Sequence, residues 1–519
     1  MKKIGCTLNS SAFTPIADGA LSHETSSAAA IVLGDVFDLN HNPLLPASII
    51  ELFDKLGCNL CSTLTGNYTI IVFKKQTKKV FAFQNALGSS LFLYYTIANG
   101  RLYLNTSLYA IIEQSGEPGK LNDKIIPHFL LNGFVIGSST LLDGIQKLVP
   151  GCMLEADADG IVQRPCRYNH CTLMADAAAA AWNDTLSEIL EKCYSKGTNI
   201  ALSSGYDSNY ILHYGAIKGL EQINAYSIGG NYDGNELPAV EKIAALYPSV
   251  HLNCATTDRE TFLHFPDIVR RLEGQVYERG IFLQYELAKL AAQNNASTLI
   301  CGECANEVMS IDFTVNQDSD IQPQAIDTYA LDPYTVASYV IIKKSGILLN
   351  SFGINSCYPF ADQSVINLAH SLRYNNCQSK SFHIENCKRL FAEDVYSLLG
   401  NRGGSTKETS FLDEANLELL NALMSNNSYY ARYGQILFAA KYTAPQSVQR
   451  TPNYNTNIRN PFKLYRSEIS ARKSDKTQLE IEKADAEVKT KLICLFLDLF
   501  LKNLEQKGQG EVISDYYHL

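Results

Sequence analysis

Residues 199–212 read NIALSSGYDSNYIL. An apolar run stops at Ser203-Ser204-Gly205, one acid stands at Asp207, and apolar residues then return at helical spacing. The pattern predicts a strand, a loop of small residues, and a helix starting near Asp207. Small residues at such a turn let backbone N–H groups approach a ligand, and the helix N-terminus adds partial positive charge. In parallel sheets, ligands bind beyond the carboxyl ends of the strands. Ser203, Ser204, Gly205 and Ser208 therefore form a candidate phosphate cradle. It is not of the G-x-x-x-x-G-K-[ST] type, whose spacing is missing. Asp207 would repel a bare phosphate and makes sense as a Mg2+ ligand beside one. On these residues alone, a Ser N-cap with an acid in the first turn accounts for the stretch equally well.

The surroundings favour a parallel sheet. ADAAAAAWNDTLSEILEKCYSKG (175–197) reads as a long helix. After it, strand and helix patterns alternate: NIALSS, a helix from Asp207, INAYSIG, a helix over NELPAVEKIAALY, SVHLN, helices around 260–295, then STLICG. Such alternation predicts a doubly wound α/β domain. Beyond 330 the chain reads as mostly helical, and AAKYTAPQSVQRTPNYNTNIRNPF reads as a loop or lid. Residues 1 to about 168 differ. AAAIVLGDVFDL, NYTIIVFKK and the run from KKVFAF to RLYLNTS are short apolar or alternating segments, with a hairpin signal at Asn99-Gly100. They predict an α+β domain built on antiparallel sheets, with helices at PASIIELFDKLG and KIIPHFLLNGF.

The chain has 519 residues, 46% hydrophobic and 19% charged, with a net charge of −9. That suits two or three globular domains with large cores at about 100–200 residues each. An acidic balance argues against nucleic acid as a partner and suits a small or cationic substrate. MKKIGCTLNSSAF lacks the apolar run of a signal peptide, so the fourteen cysteines are expected to be reduced and mostly buried in a cytoplasmic protein. The pairs Cys58/Cys61 and Cys301/Cys304 lie in different regions, which argues against a structural zinc. LICLFLDLFL (492–501) is too short to span a membrane and carries Asp498, so it reads as a buried helix.

The loop SSGYDS resembles the pyrophosphate-binding S-G-G-x-D-S loop of ATP pyrophosphatases, in particular the asparagine synthetase family, which includes β-lactam synthetases and lasso-peptide cyclases. The resemblance continues in order through AYSIGG (225–230), LICGECANEVM (299–309), YPFADQSVINLAHSL (358–372) and NRGGSTKETSF (401–411). It implies an Ntn-hydrolase-like glutaminase domain over 1–170 and an ATP-dependent synthetase domain over 175–519, its C-terminal part helical. It implies ATP and Mg2+ as cofactors. Asp207 and Asn306 would hold the metal; Ser203, Ser204, Gly205 and Ser208 would hold pyrophosphate. Leu202, Ile228 and Gly302 would line the adenosine site. Lys407 would be the catalytic cation and Glu303 the general base.

Two departures lie in the synthetase motifs: Ser204 puts a Cβ where the family has glycine, and Asn306 replaces an aspartate. The N-terminal part departs further. Position 2 is Lys rather than the nucleophilic cysteine, and the first cysteine, Cys6, sits inside an apparent strand. Leu33 replaces the glutamine-handling Asn, and Gln84-Asn85 replace an Arg-Asp pair. The domain thus reads as a degenerate glutaminase, retained for structure, docking or dimerisation.

Three functions are compatible with these residues. One is an amide ligase whose amine comes from its own peptide or small-molecule carboxylate substrate, as in lasso-peptide cyclases, with a leader-peptide-binding protein and a protease as partners. The second is an amide synthetase using free ammonia, which Glu303 favours. The third is a scaffold without activity, which Asn306 favours. No membrane partner is expected, and a homodimer is compatible with the reading.

Overall fold

The computed structural model describes residues 3–8, 13–117, 119–157, 160–166, 173–230, 235–278, 280–309, 333–374, 379–399, 412, 414–442 and 476–505. Its N-terminal part is built from β1 (Lys3–Leu8), β2 (Phe13–Asp18), β3 (Leu21–Glu24), β4 (Ala28–Asp38), β5 (Leu64–Lys74), β6 (Lys79–Gln84), β7 (Tyr94–Ala98), β8 (Arg101–Asn105), β9 (Gln146–Lys147), β10 (Cys152–Ala156) and β11 (Ile161–Pro165). These form two antiparallel sheets of order β2-β1-β8-β7-β9 and β11-β10-β6-β5-β4-β3. Alternating residues explain the stacking. Ile4, Cys6 and Leu8 of one sheet meet Ile31, Ile71, Phe73, Val80 and Leu154 of the other in a shared core. The other face of the six-stranded sheet is covered by the helix Pro46–Leu56 through Ile49, Ile50 and Phe53. This is a layered α+β architecture, two stacked antiparallel sheets with a helix on the outer face of one.

The second sheet system is parallel: β12 (Asn199–Ala201), β13 (Ile223–Gly230), β14 (Val250–Thr257), β15 (Thr298–Ile300) and β16 (Asn355–Cys357), in the order β14-β13-β12-β15-β16. Chain order runs outward from β12 to β14, then restarts on its other side with β15. The strand order reverses between β12 and β15, and that switch point opens a crevice at the carboxyl ends of the strands. The fold is therefore doubly wound α/β, followed by helices.

The two parts are joined by a continuous core and by polar bonds. The helix Lys476–Glu505 buries Leu492–Leu497, Leu499 and Phe500, and it packs on Phe129, Phe265 and Tyr277. Its segment 492–500 is almost entirely apolar and buried, whereas Glu487 nearer its start is exposed. Among the described residues, no helix is long and apolar enough to cross a membrane. Thr65 Oγ1 donates to Asp362 Oδ2 at 2.7 Å, Ser90 and Ser356 hydroxyls meet at 2.9 Å, and Lys196 pairs with Asp35 at 2.5 Å. Gly346 faces Ser90 so closely that an added Cβ would stand 2.7 Å from the Ser90 carbonyl oxygen.

Candidate active site

The loop after β12 folds on its own side chains. Ser203 N–H donates to Ser208 Oγ at 3.1 Å, Gly205 N–H donates to Ser203 Oγ at 3.1 Å, and Asn209 Nδ2 donates to both the Ser203 and Gly205 carbonyls at 2.8 Å. The following helix is Tyr206–Ile217. Its N-cap is Gly205, and no side chain caps it. The Ser N-cap that would account for the stretch without a ligand is therefore not the arrangement adopted. Ser204 fits without strain: it is buried, and its φ is not positive. Its N–H donates to Glu236 Oε2 at 2.9 Å, so a carboxylate from the segment after β13 already places an anionic oxygen on the loop.

Gly302, after β15, explains how the crevice closes. A Cβ there would lie 2.9 Å from Ser208 N and 3.1 Å from the Asp207 carbonyl carbon. Only a glycine lets the turn after β15 come this close to the first turn of the helix Tyr206–Ile217. Leu202 is buried, with its N–H bonded to the Tyr226 carbonyl, and Ile228 is half-buried on β13. Ser203, Ser204, Gly205, Asp207, Ser208, Gly302, Glu303 and Glu307 are thus brought together at the switch point.

Asp207 is the electrostatic centre. Lys380 Nζ lies 2.5 Å from Oδ1 and His383 Nε2 lies 3.3 Å from it. Burial alone would push this carboxyl up, and Lys380 followed by His383 overcomes that, holding it at about 2. His383 is fully buried among Trp182, Tyr210 and Phe360, and burial pushes its own pKa down despite Asp207. Glu303 behaves in the opposite way. Burial raises its pKa, against the pull of Lys344. Gln284 Nε2 donates to Oε1 at 2.7 Å, while Oε2 is buried without a full hydrogen bond. The nearby Ser345 hydroxyl is engaged with Ile341 and Tyr358. Glu307 is also raised, by burial first, and it feels both Lys380 and Asp207.

The donor set suits Mg2+ with a phosphate ligand. Among the described residues, no group of three or more His, Cys, Asp or Glu side chains could hold a metal ion. Magnesium usually takes one or two carboxylates plus substrate phosphates and water; Asp207 and Glu307 both feel Lys380, whereas Glu303 feels Lys344. Asn306 is exposed at the start of the short helix Ala305–Val308, whereas Glu307 carries the carboxyl that feels Asp207. Lys407 lies outside the described residues. Lys380, His383 and Glu236 were missed in the sequence reading, because no local pattern marks them.

The N-terminal part holds no exposed nucleophile at its first cysteine. Cys6 sits mid-strand between β2 and β8, fully buried, and burial pushes its thiol far up. Gln84 is buried and bonded to Thr69, Ser89 and the Leu91 carbonyl, and Asn85 donates to the Gly66 carbonyl.

Residues 47–168 match the family of glutamine amidotransferase domains, and residues 195–311 match asparagine synthase. The chain thus carries a segment similar to glutamine amidotransferase domains followed by one similar to asparagine synthase. The asparagine synthase segment carries the general assignment of an ATP-dependent, amide-forming carbon–nitrogen ligase. No curated protein matches the chain. Similar solved structures include a glutamine phosphoribosylpyrophosphate amidotransferase from B. subtilis complexed with ADP and GMP. It is 9% identical with a TM-score of 0.22, over 49% of this chain and 75% of that one. Another, described as the allosteric regulatory enzyme of purine biosynthesis, is 8% identical with a TM-score of 0.21, over 49% and 74%. At these values neither bears on what the chain does.

Proposed function

We propose that the chain activates a substrate carboxylate by its attack on the α-phosphorus of ATP, giving an acyl-adenylate and pyrophosphate, and that an amine of the same substrate then displaces AMP. The observation that carries this reading is the contact of Gly302 with Asp207 and Ser208, which makes the β12 loop and Glu303 walls of one crevice. Ser203, Ser204, Gly205 and Ser208 would bind pyrophosphate, with Glu236 moving off the Ser204 amide. Leu202, Ile228 and Gly302 would line adenosine. Asp207 and Glu307 would hold Mg2+, which neutralises phosphate charge as it develops; Asn306 is the alternative ligand taken from the family motif. Glu303, with its raised pKa and an unbonded Oε2, is suited to accept the proton of the incoming amine. Lys407 is the resemblance's cation for the transition state.

Burial of Cys6 supports an amine that does not come from glutamine. The reading is a macrolactam-forming, lasso-cyclase-like ligase acting in the cytoplasm on a peptide. A second reading, in which free ammonia is the nucleophile, is favoured by the retention of Glu303. Products from α-labelled ATP with Mg2+ and a carboxylate substrate decide between these and refute both if wrong. AMP with a product lighter by one water, formed without ammonium, supports cyclisation. AMP with a strict need for ammonium supports the second reading. ADP overturns the assignment.

A further inference from the structure

The motif Cys58-x-x-Cys61 has no role in this chemistry, yet its surroundings are built. Cys58 and Cys61 lie on the 3-10 helix Gly57–Thr63, where residues three apart project from one side. Cys61 is buried against Leu60, Tyr68, Phe83 and Met153. The thiol facing it comes from far along the chain. Cys166, half-exposed just after β11, places its Sγ 2.9 Å from the Cys61 Sγ, although the two residues are 105 positions apart. Cys166 is held there by its own N–H, which donates to the Gly151 carbonyl. Tyr68, fully buried with its hydroxyl unpaired, lies within electrostatic range of both thiols and of Asp362 in the other part of the molecule. Cys166 thus stands just beyond β11, the edge strand of the six-stranded sheet.

We propose that Cys61 and Cys166 form a reversible thiol–disulfide site whose reaction partner is a low-molecular-weight disulfide of the glutathione class. The Cys166 thiolate attacks one sulfur of the small disulfide, whose S–S bond breaks and releases one thiolate. Cys61 then attacks Cys166 Sγ in the mixed disulfide and expels the second. Two electrons pass from the protein to the small disulfide, and the two protein thiol protons end on two small thiols. The partly exposed Cys166 must be the entry point, because Cys61 is enclosed and its thiol is pushed up by the Cys166 hydrogen bond and then by burial. The bridge would close a loop long enough to constrain the unfolded chain substantially.

The full chain is incubated with oxidised glutathione, digested without reduction and mapped by mass spectrometry, with thermal denaturation in parallel. The expected result is a Cys61–Cys166 cross-linked peptide, loss of two hydrogens from the intact mass, and a rise of several degrees in melting temperature, all reversed by dithiothreitol. Cys166→Ser should abolish the cross-link and the rise, and Cys58→Ser should retain both. Glutathione left on Cys166 with Cys61 free, or a Cys58–Cys61 bridge in its place, would overturn the proposal. If Cys166→Ser does not fold, mapping of Cys58→Ser alone gives the same decision.

Discussion

Lys380→Met is the perturbation that most directly probes how the site is held together. In the native protein the Asp207 carboxyl is buried, which by itself would raise its pKa, yet it stands at about 2 rather than 3.8. At about 1.36 kcal/mol per pH unit the depression is worth on the order of 2 kcal/mol. Removing one partner of a buried pair typically costs about 3–5 kcal/mol, whereas exposed pairs contribute about 0–1 kcal/mol. Lys380 is 23% exposed and Asp207 17%, so the pair lies between these limits. We expect Lys380→Met to lose about 2 kcal/mol by urea denaturation at pH 7. A double-mutant cycle with Asp207→Asn should return a coupling of similar size. The folded-state pKa is depressed, so the contribution is present above pH 3.8 and disappears as the pH falls through about 2. The pair Lys74–Asp54, with Asp54 44% exposed, is the control and should couple by no more than about 0.5 kcal/mol. A coupling at Asp207–Lys380 no larger than that control would refute the reasoning.

Gly302→Ala forces a Cβ onto the Ser208 amide, so it should cost roughly 1–3 kcal/mol and weaken binding of an ATP analogue by at least about tenfold, read by denaturation and calorimetry. Lys147 is buried against Phe92 and Tyr339, and burial lowers its pKa from 10.5 to about 7. The unfolded chain therefore binds the extra proton between these values, and stability should rise by about 2 kcal/mol from pH 7 to pH 9, a rise that Lys147→Met flattens in urea titrations. Cys6→Ala should leave amide synthesis unchanged, and the wild type should release no glutamate from glutamine. Glutamate release that depends on Cys6 would show the first part to be an active glutaminase.

What was legible in the sequence was local. Residues 199–212 announce strand, loop and helix because each step is a change of pattern within a few positions. Asn99 and Gly100 announce the β7–β8 hairpin because both take positive φ, at 52° and 68°. The apolar run at 492–501 announces burial, but not that Phe129 and Tyr277 receive it. The ligands of Asp207 were not legible. Lys380 reaches it across 173 residues, and Glu236 reaches the loop across 32. Such contacts are set by which helix and loop the doubly wound sheet brings to the switch point. Asn306 and Glu307 could be ordered only in three dimensions, since adjacent residues on a helix point to different sides.

The central claim is that the crevice between β12 and β15 is a Mg2+-dependent ATP site centred on Asp207. Its most direct test is calorimetric titration of the full chain with α,β-methylene-ATP, with and without Mg2+, for the wild type and for Asp207→Asn. The account predicts binding that requires Mg2+ and weakens at least about tenfold in the variant, the loss of about 1.4 kcal/mol or more of metal and phosphate contact. Binding that is equal in the two proteins, or indifferent to Mg2+, would contradict it.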